Sequence, residues 1–228
     1  MREKVLETAK GWLGFNEADG SFKEIIDLYN SIVPLPVGYR VKYTDEWCAT
    51  FVSAVFAKAG LLAIGFPECS CERMIALYRA AGRWQERDDH VPNVGDLIMY
   101  DWQDSGAGDA AGWADHVGIV AAVDGRNITI IEGNRNNAVG YRQIAVDARY
   151  IRGYCLPDYE SVATTPQSPD GDSSQRRDEG IPPYGTGEPL KDAAIEWAKG
   201  KGLTDGGDAG EPITKRDLWA ALRVIEGG

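Results

Sequence analysis

The stretch Thr44-Asp45-Glu46-Trp47-Cys48-Ala49-Thr50-Phe51-Val52 places a thiol near the start of a helix. Asp45 is the candidate N-cap, which sets Cys48 at the third helical position, among backbone N–H groups that lack intrahelical partners. The positive end of the helix dipole and those amides favour a thiolate. The same amides can hold the oxyanion of a tetrahedral intermediate. A cysteine in such a place is ordinarily a small core residue, so the company it keeps decides. That company is His116, which follows the Gly112-Trp113-Ala114-Asp115 loop, and the tripeptide Glu132-Gly133-Asn134. A thiol, an imidazole and orienting polar groups suit a cysteine hydrolase acting on amide bonds.

These groups meet only if the elements carrying them are arranged correctly. Apolar spacing predicts helices over 2–13, from Ser21, over 45–59 and over 70–81. The third of these carries the stripe Phe51, Val52, Val55, Phe56 and Ala59, and is expected to be the central buried helix. From Val94 the period changes to that of strands, over 94–100, 116–123, 127–132, 141–146 and 151–156, with Asp124-Gly125 signalling a hairpin. Helices first and an antiparallel meander after them predict an α+β fold, with N-terminal helices packed on the sheet. A three-residue hairpin loop at 124–126 puts His116 directly opposite Asn134, with Glu132 two residues back on the same face. A slip of one residue destroys that cluster. His90, in an Arg-Asp-Asp-His loop, is expected at the surface.

The 228 residues carry a formal net charge of -11, which speaks against a nucleic-acid partner and gives no bulk attraction to an anionic membrane or wall. Seven Trp and ten Tyr supply either core or an aromatic-lined groove. The four cysteines, Cys48, Cys69, Cys71 and Cys155, show no framework spacing and are expected to be free thiols. No cluster suggests a metal, and no segment reads as membrane-spanning. Residues 1–30 lack a signal-peptide pattern, so the expectation is synthesis in a host cytoplasm and action on its target after release. Residues 160–188 are rich in Ser, Thr, Pro, Gly and charge and read as a flexible linker after a domain over 1–159. Order returns over 189–228 as a small all-α hairpin with too little core to be secure alone.

Trp47-Cys48-Ala49-x-Phe51-Val52, Pro92-x-x-Gly95-Asp96, Asp115-His116-Val117-Gly118-Ile119-Val120 and Glu132-Gly133-Asn134 together resemble the CHAP domains. These are peptidoglycan amidases and endopeptidases of the NlpC/P60-like, papain-related set, and the resemblance spans roughly residues 1–159. It implies a papain-like fold, with Cys48 as nucleophile, His116 as general base and later acid, and Glu132 orienting His116. Asn134 would assist through orientation or the oxyanion. The third-member role stays open between Glu132 and Asn134, with Glu132 favoured because a carboxylate better stabilises an imidazolium. Trp102 and Trp113 are the expected groove walls, with Trp47 and Asp45 as further substrate contacts. Some CHAP domains bind calcium before the cysteine, but Glu17, Asp19 and Glu24 form no ligand loop, and no cofactor or metal is expected.

The tail resembles one S-layer-homology-type repeat, in Ala194-Ile195-Glu196-Trp197-Ala198, Gly202-Leu203-Thr204-Asp205-Gly206 and Pro212-Ile213-Thr214-Lys215-Arg216. That implies a wall polysaccharide as ligand, or homo-oligomer formation through 189–228. The expected function is a phage endolysin that cuts a wall amide, as an N-acetylmuramoyl-L-alanine amidase or a stem or cross-bridge endopeptidase. A secreted autolysin of the same chemistry and a non-catalytic wall-binding or virion module are the alternatives.

Overall fold

The computed structural model describes residues 1–104 and 112–163. Helices come first: α1 (Arg2–Lys10), α2 (Lys23–Asn30), α3 (Cys48–Lys58), the short α4 (Leu62–Gly65) and α5 (Cys71–Ala80). The strands follow as β1 (Trp84–Gln85), β2 (Leu97–Tyr100), β3 (His116–Asp124), β4 (Asn127–Glu132), β5 (Gly140–Ala145) and β6 (Ile151–Cys155). Helix α6 (Tyr159–Ala163) closes the described part. The expected α+β order is what the chain adopts.

The sheet is six-stranded, in the order β1-β6-β2-β3-β4-β5, and every pairing is antiparallel. Strands β2 to β5 make the meander expected from their alternation. Strand β6 instead returns to the free edge of β2, and β1 adds to it from a stretch whose polar composition reads as loop. Two residues of β1 give no usable period, which is why the sequence hides it.

One face of the sheet, through Leu97, Met99, Val117, Ile119 and Ile131, packs on α1, α2, α3 and α5. The other face gathers Ile98, Tyr100, Val120, Ile128, Ile130, Ile151 and Tyr154 into a second cluster. Helix α3 is the central helix: every residue from Cys48 to Phe56 is buried. Its polar Ser53 is satisfied by the loop ahead of α5, donating to the Glu68 carbonyl at 2.7 Å and accepting the Glu68 N–H at 2.8 Å. This clasp sets where α5 begins.

The motif Pro92-x-x-Gly95-Asp96 is a structural turn. Asp96 accepts the Asn93 N–H at 2.8 Å and pairs with Arg2 at 3.0 Å, which ties α1 to the entrance of β2. Helix α6 runs across the boundary expected at residue 159, because Tyr159 is buried and donates to the Gly95 carbonyl at 2.7 Å. The remainder of the linker over 160–188 and the helical domain over 189–228 lie outside the described residues.

Candidate active site

Cys48 is the first residue of α3, not the third. Asp45 does not cap the helix. It accepts the Lys42 N–H and the Tyr39 hydroxyl, both at 2.8 Å, and closes the turn that precedes the helix. The residue at the N-cap is Trp47, whose side chain makes no capping bond. No side chain competes for the first-turn amides of α3, and the Ala49 N–H is among the groups that lower the Cys48 thiol.

Trp47 is wholly buried against Phe22, and its indole N–H donates to Glu17 at 3.0 Å. Its ring anchors the helix start and offers no surface to a substrate, contrary to the expectation from sequence. Glu24 and Asp19 are likewise engaged within the protein, by Trp12 and Lys58 and by Ser21 and Asn16.

His116 opens β3, opposite Tyr100 on β2. Glu132 ends β4 and shares a face with His116, because the register beside the site pairs Ile119 with Ile131. The turn itself has two residues, Gly125 and Arg126, not three; a bulge between Val120 and Ala122 restores the register before the site is reached. Gly118 makes the pairing possible. A Cβ there would lie 2.7 Å from the Glu132 Cγ and 2.4 Å from the Ile130 side chain. At the next turn of chain, a Cβ on Gly133 would strike Phe51 at 2.3 Å, so the end of β4 approaches α3 closely enough to join sheet and helix at the site.

Glu132 is completely buried and lies 3.3 Å from His116 Nε2, an ion-pair approach without the alignment of a hydrogen bond. The ring also interacts with the Cys48 thiol. Arg142, on β5, donates to both Glu132 oxygens, at 2.7 and 3.0 Å, and stands over the rings of Tyr100 and Trp102. Arg135 approaches the same carboxylate at 3.8 Å.

The electrostatics follow from these contacts. Burial pushes the Glu132 carboxyl up, but His116 and Arg142 together outweigh it and hold it below the ordinary range. Burial pulls His116 down, but the thiolate and Glu132 prevail and raise it to about 9. The Cys71 thiol contributes most to lowering Cys48 well below the usual thiol range, and His116 adds to it against the cost of burial. Both shifts favour the charged form of the pair, thiolate beside imidazolium.

Asn134 does not join His116. It lies past the end of β4 in a left-handed conformation with φ 56°, and its carboxamide donates to Glu46, just ahead of Trp47. Trp102, 38% exposed, stacks on Tyr100 and stands 5.9 Å from the His116 ring. Trp113 is 69% exposed. His90 is half-buried, edge-on to Tyr154, and not at the open surface expected for it.

Two residues of this site escape a reading of the sequence. Arg142 falls in a strand whose alternation is legible, but only the β4–β5 register reveals that it faces Glu132. Cys71 is the second: the sequence gives Cys69, Cys71 and Cys155 no company, whereas Cys71 Sγ lies 3.6 Å from Cys48 Sγ. The available signal was Ser70, a good N-cap, which puts a second thiol at a helix start.

The CHAP domain family matches residues 38–134. This stretch is a CHAP domain. The CHAP match begins ahead of α3 and ends at Asn134, so it takes in Cys48, Cys71, His116 and Glu132 but not Arg142. The α+β, papain-like arrangement expected of a CHAP domain is the one found, with a cysteine at the start of the central helix and a histidine at the start of a strand. Among solved structures, the chain is similar to the crystal structure of Ly7917 with the hydrolyzing product of MDP. They share 16% identity at a TM-score of 0.40, over 69% of this chain and 63% of that one. It is also similar to the crystal structure of Ly7917, with 14% identity and a TM-score of 0.38, over 69% of this chain and 62% of that one. The chain thus spans less than two thirds of the length of either. No curated protein matches it.

Proposed function

We propose that the protein is a cysteine hydrolase of bacterial peptidoglycan that cuts an amide bond of the wall. One arrangement carries the reading: Cys48 starts α3 beside His116, and His116 is backed by the buried Glu132. The CHAP match over the same residues supports peptidoglycan as the substrate.

In this mechanism the Cys48 thiolate attacks the amide carbonyl, and the developing oxyanion is met by first-turn amides of α3. The His116 imidazolium gives its proton to the departing nitrogen, the C–N bond breaks and an acyl-thioester remains. Water then attacks the thioester. Its proton passes to His116, the acid is released and the thiolate returns. Glu132 holds the ring and stabilises its charge, and Arg142 holds Glu132. Asn134 is a positioning residue that fastens the end of β4 to Glu46. Trp102 and Trp113 form the walls against which the glycan or peptide lies, and Asp45 shapes the loop at the other side of the thiol. The scissile bond is either the one between the lactyl group and L-Ala or one within the peptide, and the ends released distinguish them.

The test compares the protein with its Cys48→Ala form on suspended bacterial cell walls, following turbidity and newly freed amines. Clearing and amine release by the wild type alone is the expected result. Equal traces from the two would remove the enzyme reading.

A further inference from the structure

Helices α3 and α5 both begin with a cysteine, and their starts converge. The two sulfurs are 3.6 Å apart, both thiols are free, and Cys48 and Cys71 are 6% and 7% exposed. A disulfide needs about 2.05 Å between sulfurs, so rotation about the two side chains has roughly 1.5 Å to close. The neighbourhood holds α5 in this place. Ser53 clasps Glu68 ahead of it, Glu68 accepts from Cys69 N–H and Arg73, and Glu72 accepts the Ala114 N–H at 3.1 Å on the approach to His116. Neither Cys69 nor Cys155 has a comparable approach to Cys48 among the described contacts. Cys69 lies by Arg73 at 3.6 Å, and Cys155 is buried in β6. The mechanism has no covalent use for Cys71.

We propose that Cys48 and Cys71 are a modification site for peroxides, at which the nucleophile is oxidised to a reversible intramolecular disulfide. The Cys48 thiolate attacks one peroxide oxygen. The O–O bond breaks, an S–O bond forms, and hydroxide leaves with the electron pair. Cys71 then gives up its proton to that hydroxide and attacks the Cys48 sulfur. The S–O bond breaks, the S–S bond forms, and the second hydroxide takes a proton from the His116 imidazolium, which solvent restores, to leave as water. One thiolate and one thiol are oxidised by two electrons in all, and one peroxide with one added proton is reduced to two waters. The disulfide keeps Cys48 from the higher, irreversible sulfur acids, and an external dithiol returns it to thiolate. The effect on activity rests on the hydrolase reading; formation of the bond does not.

The experiment treats the full chain with hydrogen peroxide, blocks remaining thiols with iodoacetamide and digests with trypsin without reductant. Clearing of cell walls is measured in parallel, before and after dithiothreitol. The expected result is a species lighter by two hydrogens, in which peptide 43–58 is joined to peptide 59–73. Cys69→Ser keeps this cross-link and Cys71→Ser loses it. Wild-type clearing is lost with the cross-link and returns with dithiothreitol, whereas the peroxide-treated Cys71→Ser form gains oxygens on Cys48 and does not recover. An unmodified Cys48, a cross-link that persists in Cys71→Ser, or equal recovery of both forms would overturn the proposal. If Cys71→Ser does not fold, fragmentation of the wild-type cross-linked peptide assigns the partner directly. A wild type that clears no walls before peroxide would remove the hydrolase reading, while the peptide map still decides the disulfide.

Discussion

Helices α3 and α5 start alike and end up chemically opposite. Each opens on a buried cysteine at its first position, and the two sulfurs touch. At α5 the Ser70 hydroxyl accepts the Arg73 N–H at 3.5 Å, so one first-turn donor is spent on a side chain. At α3 no side chain caps, and the His116 ring stands before the thiol. Cys48 is lowered well below the ordinary thiol range, most by its bond with Cys71. Cys71 is raised well above it, by that same bond and by burial. A helix start alone does not make a nucleophile. His116 stands beside only one of the two thiols and so decides which is lowered, while Cys71 contributes most to the size of that lowering.

Substitutions can break this contrast in order of size. Under the proposed mechanism, Cys48→Ala is expected to lower wall hydrolysis by about a millionfold, to background, in a steady-state clearing assay, because it removes the sulfur that forms the thioester. His116→Ala removes both the cation that holds the thiolate and the acid for the leaving amine. Its kcat should fall by about 10³- to 10⁴-fold. Restoring Cys48 reactivity at high pH without restoring turnover would be its signature.

Glu132→Gln is expected to cost about 100-fold in kcat and to move the alkaline limb of the pH–rate profile. The sign is fixed by the contacts. His116 must be protonated to serve the leaving amine, its raised value of about 9 sets the alkaline limb, and Glu132 is one of the groups raising it. Losing the carboxylate brings that limb to lower pH. An unmoved limb in Glu132→Gln would separate Glu132 from His116. Arg142→Ala leaves a wholly buried carboxylate with one partner fewer, and should cost about 3 kcal/mol in denaturant unfolding together with a smaller loss of kcat than Glu132→Gln. Cys71→Ala sharpens the comparison most finely. Without the S–H donor the acid limb should move up by about one pH unit, and Cys71→Ser, which keeps a donor, should restore it.

Most of this was legible because it depends on period and order. The α3 stripe, the strand alternation and the α+β order carry over from sequence to structure with shifts of a few residues at element ends. The pairing of His116 with Glu132 is legible for a subtler reason. The loop length assumed for the hairpin is one too long, yet the bulge near Ala121 absorbs the difference and the face of Glu132 is unchanged. Asn134 is misplaced by the same argument, since the strand ends at Glu132 and the chain turns away through a left-handed residue. Asp45 looks like a cap by type but is consumed by the turn at Lys42, a competition that local sequence does not rank. Arg142 and Cys71 come from elements distant in sequence, and only tertiary register brings them to the carboxylate and the thiol.

Of the four thiols, Cys48 is the one lowered well below the ordinary range, most by Cys71 and further by His116. The direct measurement is the pH dependence of iodoacetamide alkylation, resolved by residue with mass spectrometry, for the wild type and His116→Ala. Cys48 is expected to react as a thiolate at mildly acidic pH in the wild type, while Cys71 and Cys155 do not. In His116→Ala the Cys48 titration should move to higher pH. A Cys48 that titrates in the ordinary thiol range in both proteins would contradict that lowering.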